Sequence, residues 1–314
     1  MPDDHSSAAD AVLSAKGRSF HWARRFLGER HAARSTRLYM LCRYVDDIAD
    51  ETESGFDAQQ ALAEMKQEIC SGRSADPILA DAIRLFDECD IDPGIFIELI
   101  AGVESDLGTV RIPDTDALLQ YCYQVAGTVG LMMCRVLDAE GASAEAHAID
   151  LGIAMQLTNI CRDVGADAAL GRRYLPASLV GELAPEALLQ PDVATCDAIR
   201  SGLSDLLQLA DSYYQSGECG LAYLPVASRT GILLASRLYH AIGSTLRRSN
   251  FAFQNGRAIV GTGRKSLITL QTIGEICLHR RFWQVPVVAH DAALHTPLRR
   301  PSARMITLYS RHAN

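Results

Sequence analysis

Gln156, Asn159, Asp163 and Asp167 stand at offsets 0, 3, 7 and 11 in the chain. On an α-helix this spacing puts all four on one stripe, because residues three and four apart stack on one face. Leu157, Ile160, Cys161 and Val164 surround the stripe and suit a core. An amide and two carboxylates on an otherwise apolar helix repel one another and lose hydration, so the arrangement makes sense with a cation against it. Tyr39, Arg43, Asp46 and Asp50 form a second stripe, at offsets 0, 4, 7 and 11. A lone aspartate pair four apart is an ordinary solvated helix face. Two such pairs, each continuing a long polar stripe in apolar surroundings and flanked by arginine, suggest one shared site. Carboxylates and an amide oxygen suit magnesium, which keeps several waters and commonly binds one or two carboxylates together with substrate phosphates. The chemistry expected is therefore metal-assisted handling of a phosphate or diphosphate.

The elements that must position these residues read as helices throughout. Apolar periodicity and breaks predict helices over 8–27, 33–52, 57–70, 76–89, 95–107, 117–137, 143–167, 193–217, 229–252 and 265–278. Pro113-Asp114 marks a break with an N-cap. Gly127 and Gly130 fall inside a predicted helix, where each costs roughly 1 kcal/mol against alanine. Close helix packing, room for a ligand or a kink would each account for them. No alternating segment argues for a sheet, and no Gly-x-Gly-x-x-Gly, P-loop or Gly-x-Ser-x-Gly string occurs. The expectation is an all-α, single-domain bundle of about a dozen helices around a central cavity, over residues 1–278. Residues 279–314 carry six arginines against one acid, with three prolines and four histidines, and read as an irregular, solvated basic tail.

Composition narrows the function classes. The chain has 314 residues, 48% hydrophobic, with a formal charge of −8, which argues against a nucleic-acid partner. Nine scattered cysteines with no Cys-x-x-Cys pair match a reducing cytosol rather than a disulfide framework or zinc module. The first residues lack the features of a signal peptide, and no apolar run reaches the ~20 residues that span a bilayer. The expectation is a cytoplasmic protein with at most a peripheral contact on the inner face of the cytoplasmic membrane.

Three strings together resemble the squalene/phytoene synthase family. Arg43-Tyr-Val-Asp-Asp-Ile-Ala-Asp50 is similar to its first aspartate-rich motif, and Gln156-Leu-Thr-Asn-Ile-Cys-Arg-Asp-Val-Gly-Ala-Asp167 with Gly171-Arg-Arg-Tyr-Leu-Pro176 to its second. Tyr121-Cys-Tyr-Gln-Val-Ala-Gly-Thr-Val-Gly130 resembles the helix before the second motif. The resemblance runs from about Ser19 to about Tyr239, and Tyr174-Leu-Pro-Ala-Ser178 looks most like bacterial phytoene synthases.

The resemblance implies the isoprenoid-synthase fold and head-to-head joining of two prenyl diphosphates. It implies that Asp46, Asp50, Asn159, Asp163 and Asp167 hold magnesium, or manganese in its place. Ser19, Tyr39, Arg43, Gln156 and Arg162 would contact the substrates, Arg172 and Tyr174 would close over the leaving diphosphate, and Phe20 and Tyr121 would lie in the cavity. Two geranylgeranyl diphosphates would give phytoene, without NADPH. Farnesyl diphosphate as substrate, and a non-catalytic prenyl-lipid-binding or partner subunit, stay open at this point, as does contact with neighbouring pathway enzymes. The sequence departs from the pattern at Ala166, where many members carry an acid, and at Phe251, which lacks a hydroxyl to donate. The 250s are left outside the expected site, with Arg257 and Arg264 held as candidate phosphate contacts.

Overall fold

The computed structural model describes residues 18–51, 55–278, 280–283 and 287–298. It is built of helices: α1 (Arg18–Arg24), α2 (Glu29–Glu51), α3 (Gly55–Ser71), α4 (Pro77–Cys89), α5 (Pro93–Glu104), α6 (Thr115–Cys122), α7 (Thr128–Val136), α8 (Ala142–Ala169), α9 (Ala177–Val180), α10 (Pro185–Leu189), α11 (Val193–Cys219), α12 (Val226–Arg248), α13 (Thr262–Leu278) and α14 (Arg280–Trp283). Among the described residues the β-structure is one isolated parallel bridge, Arg111 with Arg173. The all-α expectation holds.

Local chemistry sets many of the boundaries. Asp76 and Asp92 each precede a proline at the first helical position, and their carboxylates accept from the free N–H groups of Ile78 and Leu79, and of Gly94. Asp114 and Asp192 cap α6 and α11 in the same way, accepting from Ala117 N and Thr195 N. α8, at 28 residues, is the axis of the molecule. One of its sides belongs to a core with α6, α11 and the 253 turn, where Leu157, Ile160, Cys161, Leu203, Leu207 and Tyr213 are buried. A second core joins α2, α3, α4, α5 and α7 through Leu38, Leu41, Leu62, Leu85, Phe96 and Met132.

The predicted helix 117–137 is interrupted. Tyr123–Gly127 form a π-helical turn between α6 and α7, an insertion that leaves no mark on apolar periodicity. Directly after it the glycines earn their place by contact. A Cβ on Gly130 would lie 2.2 Å from the Ala148 carbonyl oxygen, and one on Gly152 2.3 Å from that of Ala126. The α7 end of this segment and α8 therefore cross backbone to backbone, which only glycine permits.

Within the stretch read as a solvated tail, α14 is followed by residues 287–298, with a 3-10 turn at Ala292–His295. His290 and His295 are partly buried, and Leu298 is buried in the first core. This part is anchored at points though much of it stays exposed: Tyr213 donates its O–H to the Leu294 carbonyl at 2.7 Å, and His290 and His295 make inward contacts (below).

Candidate active site

Asp46 from α2 and Asn159, Arg162, Asp163 and Asp167 from α8 line one polar cavity, together with Asp106, Tyr121, Gln156, Arg172 and Tyr174. Asp46 of the first stripe and all four members of the second thus share a space of about 290 Å³. A second, apolar cavity adjoins it. Gln156, Asn159 and Val125 line both, and the apolar one continues past Tyr39, Met155, Gly152, Ala148 and Ala144. From Asn159 to Ala144 is fifteen residues along α8, or about 22 Å at 1.5 Å per residue.

Charge in the polar cavity is arranged around Asp163. Arg162 grips it with two hydrogen bonds, Nε to Oδ1 at 2.9 Å and a terminal nitrogen to Oδ2 at 2.6 Å. Arg257 Nε adds a third contact, 2.9 Å from Oδ1. Asp167, one turn on, is pushed up to about 7, chiefly by burial and then by the Asp163 charge, against the pull of Arg172 and Arg257. Burial therefore leaves one of the two carboxyls of this stripe protonated in a large fraction of molecules near neutral pH.

The loop after α8 is fixed by backbone pairing with the 110–112 strand-like segment, Arg173 N donating to Val110 O and Ile112 N to Arg173 O. The buried Arg173 guanidinium donates to the carbonyls of Ile112 and Leu175. This anchoring sets its neighbours Arg172 and Tyr174 into the cavity. Tyr174 stacks on Tyr121, ring centroids 5.0 Å apart, and both hydroxyls donate to Asp106, at 2.7 and 2.8 Å. Burial, and then the Asp106 charge, raises both phenols far above their usual range, so they stay protonated donors.

Not every expected residue reaches the cavity. Arg43 lines neither space. Its guanidinium pairs with Asp47, one helical turn away, a competitor that the stripe left out of account. Tyr39 lines the apolar cavity rather than the polar one. The side chains of Ser19, Phe20 and Asp50 lie outside the described residues. Arg264 is elsewhere, donating to Thr245 Oγ1 at 2.6 Å. Arg257, a candidate phosphate contact from the sequence, comes into the site through its pair with Asp163. Asp106 and Tyr239 are additions. Tyr239 is a lone aromatic on a long helix, and Asp106 an isolated acid at a helix end, so neither carries a spacing signal.

The chemistry of the donor set suits a divalent cation. Asn159 Oδ1 is buried with no hydrogen-bond partner, while its amide nitrogen donates to Gln156 Oε1 at 3.3 Å. An orphaned buried oxygen beside Asp163, Asp167 and Asp46 fits a hard cation, which takes oxygen ligands. Both Asp163 oxygens are occupied by arginine, so coordination there exchanges guanidinium for metal.

A family model described as squalene/phytoene synthase matches residues 13–264. A phytoene synthase of Cereibacter sphaeroides is 35% identical over 265 residues, 80% of this chain and 74% of that one. A 15-cis-phytoene synthase of Pantoea ananas is 31% identical over 295 residues, covering 89% and 94%. Among solved structures, a dehydrosqualene synthase in complex with ligand superposes with a TM-score of 0.76 at 24% identity, over 87% of this chain and 96% of that one. A squalene synthase from Alicyclobacillus acidocaldarius does so with a TM-score of 0.68 at 19% identity, over 78% and 94%. These structures establish the all-helical isoprenoid-synthase fold, and the extent of the family match settles the rest: the chain belongs to the squalene/phytoene synthase family.

Proposed function

We propose that this chain is a phytoene synthase, a prenyltransferase that joins two geranylgeranyl diphosphates head to head, through a cyclopropylcarbinyl diphosphate, at the entry to carotenoid synthesis. The observation that carries the reading is the continuity of two unlike cavities across Gln156 and Asn159, one lined by carboxylates and arginines, the other apolar and long. The relatives named phytoene synthase at 31–35% identity support the choice of substrate. Two C20 diphosphates yield one C40 hydrocarbon with loss of two diphosphates and two protons, so no reductant is needed.

Asp46, Asp163, Asp167 and Asn159 are the groups that would hold magnesium or manganese. The ion, when bound, supplies charge neutralisation for departing diphosphate. Arg162, Arg172 and Arg257 are the cations set to receive diphosphate oxygens. Tyr121 and Tyr174, kept protonated by burial and then by the Asp106 charge, offer aromatic faces to an allylic cation. The apolar walls, from Tyr39 to Ala144, exclude the water that would quench it to an alcohol.

The setting proposed is the membrane surface. No helix among the described residues is long and apolar enough to cross a bilayer. On α13, however, Leu267, Leu270, Ile273 and Leu278 are exposed along one face, and Trp283 is exposed just beyond. A water-insoluble product suits a peripheral contact there.

Purified protein incubated with magnesium and geranylgeranyl diphosphate, without NADPH, should give a C40 hydrocarbon by mass spectrometry of the organic extract. A C30 product from farnesyl diphosphate alone would transfer the same chemistry to the shorter substrate. No condensed product from either would sink the enzymatic reading.

A further inference from the structure

Asp150 lies on α8, two residues on from the cavity-lining Ala148 and so about 200° round the helix from it. Its carboxylate is completely buried, and among the described residues no lysine or arginine is paired with it. What surrounds it is imidazole. His290 Nε2 donates to Oδ2 at 2.8 Å and His295 Nε2 to Oδ1 at 2.7 Å. Ser216 Oγ donates to Oδ2 at 2.5 Å. Behind the serine, His147 places Nδ1 3.1 Å from Ser216 Oγ and donates its Nε2–H to the Val288 carbonyl at 3.3 Å. One donor atom from each of Asp150, His290 and His295 falls within a sphere where all lie 4.8 Å or less apart.

From this arrangement we infer that Asp150, His290 and His295 form a second metal site, for a zinc-class transition ion, which fastens the segment 287–298 to α8. A buried carboxylate needs compensating charge or hydrogen bonds beside it, and two imidazoles aimed at it by the same nitrogen are the ligands a zinc ion takes with a carboxylate. To hold the ion each ring would give up its Nε2–H bond to the carboxylate and take the Nδ1–H tautomer, which frees the Nε2 lone pair as ligand. Nitrogen donors separate this site from the oxygen-lined cavity on the opposite side of α8, because imidazole favours zinc, nickel or copper whereas carboxylate and amide oxygens favour magnesium. Ser216 and His147 orient the carboxylate from outside, the part that supporting residues play around metal ligands. The segment is already seated without an ion, through the Tyr213 bond to Leu294 and the burial of Leu298, so the donors are preorganised.

The test titrates the full-length, metal-stripped protein with zinc against a chromophoric chelator, and with cobalt followed by visible absorption. One equivalent of zinc per chain is expected, with the d–d bands of four-coordinate cobalt. The His290→Ala/His295→Ala double variant, with all nine cysteines in place, should lose that equivalent. Asp163→Ala should retain it, and Ser216→Ala should bind about 10–100-fold more weakly. Zinc should also slow proteolysis within 287–298 in the wild-type chain, a readout that does not require any variant to fold. No stoichiometric zinc in the wild type, zinc retained by the double variant, or zinc lost on Asp163→Ala would each overturn the inference. In the first case the cluster is a hydrogen-bonded latch only.

Discussion

At the scale of single residues, Asp167 makes the sharpest statement. An aspartate in the unfolded chain titrates near 3.8, while burial and the Asp163 charge push this one to about 7 in the fold. Between those values the folded chain holds a proton that the unfolded chain has lost, so the contribution of Asp167 to stability falls as pH rises through that window. With divalent ions chelated, Asp167→Asn should therefore melt higher than the wild type at pH 8, by about 2–5 °C for a chain of this size. The gap should close as pH falls towards 4. Magnesium with a diphosphate should reverse the order at pH 8, since linkage favours the chain that retains the ligand. Melting curves of both proteins at four pH values decide it, and a variant less stable than the wild type at pH 8 in chelator would refute the electrostatic account. The same residue shows what could be read in advance. Asp163, Asp167, Asn159 and Gln156 share a helical stripe, so their common placement followed from 3.6-residue periodicity alone. Asp106 could not be found that way, because it enters the site through the hydroxyls of Tyr121 and Tyr174, 15 and 68 positions away. Arg43 had two carboxylates in helical reach, and spacing does not rank Asp47 against Asp46.

At the scale of elements, the geometry of both cavities depends on how closely α8 meets the segment 126–130. Gly130 and Gly152 each abut a carbonyl of the other strand of this crossing, and both line the apolar cavity. Adding a methyl at either forces the helices apart against a packed core, which costs about 1–3 kcal/mol even where side chains rearrange, and backbone oxygen cannot rearrange as they do. Gly130→Ala and Gly152→Ala should each lower the unfolding free energy measured in urea by at least that much, and the double variant by less than the sum, because one widening accommodates both. Gly274, on α13 with nothing within 4 Å of its notional Cβ, is the control. Gly274→Ala should stabilise by about 0.5–1 kcal/mol through helix propensity. Equal effects at all three positions would mean that propensity, not contact, explains the glycines. Helix limits were legible because prolines, capping aspartates and apolar periodicity agree along the chain. The π turn at Tyr123–Gly127 was not, since one inserted residue shifts the ladder without disturbing composition. Nor was the seat of 287–298, whose partners Asp150 and Ser216 are far away in sequence.

At the scale of the whole molecule, the peripheral contact proposed above has to be reconciled with a formal charge of −8, which anionic lipid surfaces repel. General electrostatics would oppose such an approach, so the proposed contact rests on the exposed apolar side chains of α13, with Arg264 and Arg248 beside them. Burial of apolar side chains is worth roughly 25 cal/mol per Å², is insensitive to screening, and adds up along a stripe. α12 connects this face to the chemistry, because it packs against α13 and also presents Ile232, Ala235 and Tyr239 to the apolar cavity. Two features then separate this attachment from binding by a basic tail. It should occur on vesicles of uncharged lipid as well as anionic ones, and it should survive high salt. Leu267→Glu/Leu270→Glu should abolish co-sedimentation with both kinds of vesicle while leaving the melting temperature nearly unchanged, as both side chains are solvent-exposed in the free protein. Binding that is confined to anionic vesicles and disappears in salt, with the double variant unaffected, would assign the contact to basic charge instead and remove α13 from it.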